Sequence, residues 1–381
     1  MQPKKNSNFA VILMDPRGTV LGGGLDVFER IENYGCEITR FGYDLKLLVF
    51  SSYTKTKDFK STNFDIISLS KPTFNALFFA IRAKKYLKKK DLNFKLLIAS
   101  DPWESFWSAY LLNKICLKRI PIQIQVHGDI ANPAWKKISI RNRIRFNLAK
   151  LSMNKASGIR TVGSSQARKV SELFKIKKNQ ISVIPVPIIN LRITSDSFST
   201  RPKTLGLIGR IHTDRGIYDF IKLIKSLSVV RDDFSVIIAG DGPNKSYLLE
   251  EIKKLLPKSK IRYLGHLSSK ELAKVWREIG VLVSTAPTES YGRAMREALV
   301  AGVPVWATQS SGVEDLILQA NKNAVTILDL KKSNRELSLE LDQILKFKVS
   351  LDFRKQFIKN NSTYAKLVAK SWVELINKQR Y

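Results

Sequence analysis

Arg210 and Arg215 sit on either side of a turn in the run Gly206-Leu207-Ile208-Gly209-Arg210, which continues to Asp214-Arg215-Gly216 and an apolar-periodic helix through Leu223. The run has the form of a strand end, a glycine turn and a helix start. That form collects backbone N–H groups and two guanidiniums at the C-terminal edge of a strand, where open α/β sheets bind anions. Paired arginines can clamp a diphosphate through charge-assisted hydrogen bonds. An ordinary βα turn with solvated arginines would carry the same letters, and this segment alone does not choose between the two. A second strand ends in Gly240-Asp241-Gly242-Pro243, a weaker signal, since such turns often only reverse the chain.

Further on, Glu289 falls in a loop after a strand, and Glu297 lies inside the helix that begins near Tyr291 and Gly292. A helix advances ~1.5 Å per residue, so the two carboxylates can address two parts of one elongated ligand. Vicinal hydroxyls, present on a hexose and on a ribose, can donate in pairs to a carboxylate. The helix start between them offers N–H groups to phosphate oxygens. Either glutamate could equally be a cap or a surface residue.

These stretches need a frame. Short apolar runs at Phe9–Met14, Lys46–Ser51, Asp65–Leu69, Lys95–Ser100, Pro121–His127, Gly158–Val162 and Ile181–Ile184 alternate with helix-length spacers. After a turn-rich stretch with Pro185, Pro187 and Thr194 to Pro202, the alternation restarts at Thr204–Gly209. It continues through Phe234–Gly240, Ile261–Leu264, Val281–Ser284 and Val303–Thr308. Strands separated by helices indicate parallel βα units. The expected fold is α/β, with two doubly wound Rossmann-like domains: 1–195, 196–362, and a final helix 363–381 crossing back to the first domain.

The chain has 65 Lys and Arg against 33 Asp and Glu, a formal net charge of +32. Polyanionic company follows: nucleic acid, anionic lipid or phosphorylated ligands. The bias is uneven, and Glu172 is the single acidic residue between 131 and 180. A nucleic-acid binder needs a compact basic motif with interleaved aromatics. The basic stretch offers only Trp135, Phe146 and Phe174, so no nucleic-acid partner is expected. The isolated Cys36 and Cys116 suit buried, reduced thiols and a cytoplasmic location. The run Phe9 to Met14 stops at Asp15-Pro16-Arg17, too short for a secretory core or a membrane span.

In chain order, the sequence shows glycine-arginine, four residues, then arginine-glycine; Gly240-Asp241-Gly242-Pro243; Glu289, seven residues, Glu297; and Ala301-Gly302-Val303-Pro304-Val305. With Gly22-Gly23-Gly24 after the first strand and His127-Gly128 after a later one, the set resembles the large retaining glycosyltransferase family four (glycosyl transferases group 1). The resemblance spans roughly residues 9 to 317. It implies the GT-B fold, with two domains facing a central cleft, and transfer from a nucleotide-diphosphate sugar, a co-substrate, to a glycan or lipid-linked acceptor. It implies no bound cofactor. Arg210 and Arg215 would bind the diphosphate, Glu289 the sugar hydroxyls and Glu297 the ribose. Tyr291 and Gly292 would meet sugar and phosphate through their backbone, and Leu264, Gly265 and Leu267 would lie near the base. Gly23 and Gly24 would approach the diphosphate, and His127 the transferred sugar. Arg215 stands where the family usually has lysine. Arg293 and Arg296 stand where it more often has small or apolar residues, and Tyr34-Gly35-Cys36-Glu37 lacks its frequent Gly-His pair. A sugar-nucleotide epimerase or phosphorylase-like enzyme could share this frame. The chain has no D-x-D, and two arginines with helix N-termini can neutralise a diphosphate, so metal independence is expected.

Residues 134–151 look like one helix, with Ile140, Ile144, Leu148 and Leu151 on a stripe facing the core and Arg143, Arg145 and Lys150 outward. A second basic run includes Arg82, Lys84, Lys85, Lys88, Lys89 and Lys90. Together they suggest peripheral contact with anionic membrane at the inner face of the cell membrane.

Overall fold

A computed structural model describes residues 9–16, 18, 24–51, 57–70, 76–189, 201–320 and 323–378. Contacts divide these into two units. One comprises the described residues up to Ala131, Ser139–Ile189 and those from Ser362 onward; the other holds Asn132–Ile138 and the residues from 201 to Asn361.

The first unit contains β1 (Ala10–Asp15), β2 (Asp44–Ser51), β3 (Lys57–Lys60), β4 (Phe64–Ser70), β5 (Phe94–Ala99), β6 (Ile122–Val126), β7 (Gly158–Thr161) and β8 (Ile181–Val183). They form one sheet in the order β3-β4-β2-β1-β5-β6-β7-β8. Every neighbouring pair is parallel except β3 with β4. The strand β3 escapes sequence pattern because Lys57-Asp58-Phe59-Lys60 is short and charged, the composition that blunts an exposed sheet edge. One face of the sheet is covered by α1 (Gly24–Thr39) and the end of the last helix, through a core that includes Ile31, Tyr34, Ile38, Val368 and Trp372. Right-handed crossovers place α2 (Ala76–Lys89), α3 (Glu104–Ile115), α5 (Ile140–Met153) and α6 (Ser164–Phe174) on the other face. The short α4 (Pro133–Lys137) groups with the second unit.

The helix expected over 134–151 is therefore two helices, and its inner face is not the expected one. Ser139 breaks it by accepting the Asn142 N–H at 3.1 Å as the N-cap of α5. Phe146, Ala149 and Met153 are buried, with Phe146 packed on Phe174 at a ring separation of 5.6 Å. Ile140, Ile144 and Leu151, the stripe expected in the core, are 73%, 58% and 57% exposed. Arg145, expected outward, is drawn in by Glu104 at 3.1 Å and by the Trp103 ring beneath it. Aromatic burial and an ion pair outweigh the aliphatic stripe. Both cysteines are free and half-buried rather than buried.

The second unit has β9 (Thr204–Ile208), β10 (Ser235–Ala239), β11 (Ile261–Tyr263), β12 (Val281–Ser284), β13 (Val305–Ala307) and β14 (Val325–Ile327) in the order β11-β10-β9-β12-β13-β14, all parallel. Successive residues point to opposite faces of a strand. Val236 and Ile238 accordingly join a core with α7 (Ile217–Ser228), α8 (Lys245–Leu255) and α12 (Asn334–Lys346). Ile237 joins another with α9 (Ser269–Val275), α10 (Arg293–Val300) and α11 (Ser311–Gln319). The last helix, α13 (Leu351–Asn377), begins in the second unit, where buried Arg354 donates Nε–H to the Val300 carbonyl at 2.8 Å, and ends in the first.

Candidate active site at the switch point of the second sheet

The chain leaves β9 toward β10 on one side and leaves β12 toward β13 on the other. Where strand order reverses in this way, the loops diverge and open a crevice at the C-terminal strand ends, the usual ligand position in such sheets. Two glycines let backbone meet backbone there. Gly240, after β10, has no room for a Cβ because the Gly209 carbonyl fills that space. Gly216, at φ 71°, opens α7, and a Cβ on it would overlap the Thr285 carbonyl. The Thr285 hydroxyl donates to the Gly216 carbonyl at 2.7 Å, which pins the exits of β9 and β12 together. Ahead of α7, the His212 ring caps the turn Thr213–Arg215, with Nδ1 accepting the Asp214 N–H at 3.2 Å.

The pinned loops bring opposite charges together. Arg215 donates through Nη1 to Glu289 Oε2 at 2.6 Å, and the exposed Arg210 reaches Asp214 Oδ2 at 3.1 Å. The loop carrying Glu289 is fixed from behind, because its carbonyl accepts the Gly312 N–H at 2.7 Å. Tyr291 is buried under Arg296, whose guanidinium carbon lies 3.8 Å from the ring centroid. This stacking accounts for an arginine at that position. Gly292 is the N-cap of α10, whose first-turn N–H groups and positive dipole end start beside Glu289 in sequence. Inside the helix, Glu297 receives Arg293 Nη2 at 3.4 Å. Each of the two glutamates thus faces an arginine.

The remaining expected residues divide by unit. Gly265 follows β11 and accepts the Gly240 N–H at 2.7 Å, while Leu264 and Leu267 are half-buried against the core that also takes Ile208. Gly24 opens α1 after β1, and Gly23 lies outside the described residues. His127 follows β6, with Nε2 at 3.0 Å from Gln125 Oε1. Surrounding protein, then the charges of Arg160 and Arg30, lower its pKa to about 3. The ring retains exposed surface, which softens the first of these effects, and the direction still leaves a neutral imidazole at pH 7. If Nε2 carries the hydrogen to Gln125, Nδ1 is left as an acceptor. Sequence reading missed His212, Thr285 and Gly312. Only Gly312, in a Ser-Ser-Gly helix start, carried a local signal.

Comparison with known proteins bears on the same stretch. Residues 193–363 match the family model of Glycosyl transferases group 1. This stretch, a little under half of the chain, is similar to that family. The matched range contains Arg210, Arg215, Glu289 and Glu297, the charged residues of the crevice and its helix. Curated proteins similar to this chain include the 2-deoxystreptamine N-acetyl-D-glucosaminyltransferase of Niallia circulans and the GDP-mannose-dependent alpha-mannosyltransferase of Corynebacterium glutamicum. The first is 29% identical over 30% of this chain and 29% of its own length. The second is 25% identical over 45% of this chain and 35% of its own. The chain thus spans about a third of the length of these relatives. The solved structure of Anabaena HepE in complex with UDP and glucose matches at a TM-score of 0.62 and 18% identity, covering 97% of each chain. That likeness concerns the fold, which is GT-B.

Proposed function

We propose that the protein is a glycosyltransferase moving a sugar from a nucleoside-diphosphate sugar to a hydroxyl of a glycan or lipid-linked acceptor, with the anomeric configuration retained. The observation that carries this reading is the Arg215–Glu289 pair at 2.6 Å on the switch-point crevice. A nucleoside-diphosphate sugar has an anion next to a polyol, and the crevice has a cation next to a carboxylate. Phosphate oxygens would take over Arg215 and Arg210, and sugar hydroxyls would take over Glu289. The bond between the sugar's anomeric carbon and the diphosphate then lies between the two groups. As it breaks, negative charge grows on the departing nucleoside diphosphate, where the guanidiniums and the α10 N-terminus are already in place. Glu297, further along α10, would hold the ribose, and Leu264, Gly265 and Leu267 would flank the base.

The names of the relatives support sugar transfer over an epimerase, a phosphorylase or a nucleic-acid binder. They also differ in donor: one is named for GDP-mannose, and HepE was solved with UDP and glucose. A melting-temperature screen against UDP-, GDP-, ADP- and dTDP-sugars tests the reading. A donor present at about 100 times its Kd stabilises the fold by ~2.7 kcal/mol. We expect one base class to raise the melting temperature and then to support transfer. No shift with any of the four would overturn the proposal. Since the arginines supply positive charge at the leaving group, transfer should persist in EDTA. A strict requirement for Mg²⁺ or Mn²⁺ would contradict that electrostatic scheme.

A further inference from the structure

α5 lies on the sheet face opposite α1 and presents its outer side in an unusual order. Successive residues turn about 100° around the axis, so Ile140, Ile144 and Leu151 share a narrow strip. That strip points away from buried Phe146, Ala149 and Met153, and all three of its residues are exposed. Exposed Asn147 lies at its edge, with Arg143 and Lys150 beyond it on that side and Arg141 on the other, all exposed, and the helix has no acidic residue. A solvated helix surface would place its charges at the centre and its aliphatic residues at the seam. Here the order is inverted. The exposed centre is aliphatic, and the cations are where long side chains can lie back along it with their charged ends outward.

A second helix of the same face repeats the chemistry. Leu77, Phe78 and Ile81 on the first turns of α2 are 44%, 52% and 46% exposed, followed by exposed Lys85, Lys88 and Lys89. α2 also has no acidic residue. The two helices flank α3: α2 packs along it, with Lys84 Nζ on the Ile115 carbonyl at 2.8 Å, and α5 meets its start through Arg145–Glu104 and through Ser152 on Pro102.

We infer that the α2 and α5 face is a docking surface for an anionic lipid bilayer, with Ile140, Ile144, Leu151, Phe78 and Ile81 entering the headgroup boundary and the surrounding lysines and arginines holding phosphate headgroups. Charge complementarity selects this occupant. A second copy would bring an equally basic face, with no acidic residue on α2 or α5, against the first, and like charges would repel. Among the described residues no helix is long and apolar enough to cross a membrane, so the contact is peripheral. It does not depend on sugar transfer.

Sedimentation of the full chain with vesicles tests this. Vesicles of phosphatidylcholine with phosphatidylglycerol should bind it, and pure phosphatidylcholine vesicles should bind it at least about tenfold more weakly, since each nearby cation strengthens binding to an anionic surface about fivefold. Two triple variants separate the contributions: Ile140→Ser, Ile144→Ser, Leu151→Ser, and Arg141→Gln, Arg143→Gln, Lys150→Gln. All six residues are exposed, so melting temperatures should match the wild type. Each variant should lose binding about tenfold or more. Only the arginine and lysine contribution should vanish at high salt. Wild-type binding by either variant, or equal binding to both vesicle types, would overturn the assignment. So would a wild-type dimer in gel filtration that the serine variant dissociates, which would give the face to a second copy. Binding to soluble polyglutamate as tight as to vesicles would give it to an acidic protein. Donor-induced melting shifts in the same variants report separately on the transfer site.

Discussion

The two units share a doubly wound frame and shape their strand ends by different means. In the second unit the exits of β9, β10, β11 and the start of α10 are glycines, at Gly209, Gly240, Gly265 and Gly292, all with positive φ. In the first unit side chains fix the exits of β5 and β7. Asp101 accepts the Trp103 N–H at 2.9 Å and the Ser105 N–H at 3.1 Å to cap α3, and Gln166 bridges the Val162 N–H and the Gly128 carbonyl. Glycine exits let a ligand's phosphate approach backbone N–H groups, and they leave a readable pattern of letters. Side-chain exits are specific to their own surroundings and leave none. On the proposed function the second unit is the anion-handling half, and the first takes its identity from surfaces.

The sharpest way to break that contrast is to remove the charge that the glycine turns position. Arg215→Ala should lower turnover by ~10²–10³, the usual cost of deleting one donor from a preorganised anion site. Arg215→Lys should recover part of it, keeping the charge without the fork. Activity within a few-fold of wild type in Arg215→Ala would remove the switch-point crevice from the chemistry.

Next in size come the two carboxylates. If Glu289 holds the reacting sugar, Glu289→Gln should cut kcat about tenfold or more with little change in donor affinity. Glu297→Gln should mainly raise the donor KM, if it holds ribose. Equal effects of the two substitutions on donor affinity would refute the division between them.

Much of this was legible beforehand, and the exceptions share a cause. The parallel strands of both sheets followed from apolar runs alternating with helical spacers, since a strand buried on both faces must be apolar throughout. The short edge strands β3 and β14 did not, because neither Lys57–Lys60 nor Val325–Ile327 is long enough to show a period. Glu289 and Arg215 stood out by spacing. Their direct contact did not, because it depends on Gly216 bringing the helix start against Thr285, a residue with no local signature. Aliphatic periodicity alone points α5 the wrong way round, because Phe146 and the Glu104–Arg145 pair decide its inward face.

The Gly216 contact gives a prediction of intermediate size. Gly216→Ala combines positive φ with a Cβ driven into the Thr285 carbonyl. It should destabilise the fold by about 1–3 kcal/mol. Turnover should fall as well, because the β9 and β12 exits would separate and take Arg215 from Glu289. Gly265→Ala, also at positive φ but with nothing within 4 Å of the added carbon, should cost less in stability and leave the Arg215–Glu289 pair intact. Equal losses in both variants would show that backbone strain alone, without the close approach to Thr285, governs this turn.

The smallest expected effect lies in the first unit and concerns acid stability. The folded His127 imidazole stays neutral down to about 3, against an ordinary value of 6.5. Between those values the unfolded chain binds a proton that the folded chain refuses, so lowering the pH through this window favours unfolding. The associated stability is fully present above about 6.5 and is lost progressively toward 3. Exposure of part of the ring limits its size. His127→Gln cannot take up the proton in either state, so its denaturant midpoint should fall less steeply with acid than that of the wild type over the same window. Carboxylates such as Asp233, held low by Arg231 and Lys203, contribute equally to both proteins and cancel in the difference. The same neutrality means that His127 supplies no charge to a departing phosphate at pH 7. If His127 lies by the transferred sugar, as the family resemblance implies, its substitution should lower transfer without introducing or removing a titration in the rate between about pH 5 and 8. Parallel acid limbs in the two proteins, or a rate profile in which an inflection near pH 6.5 disappears on substitution, would show instead that the imidazole charges normally in the fold.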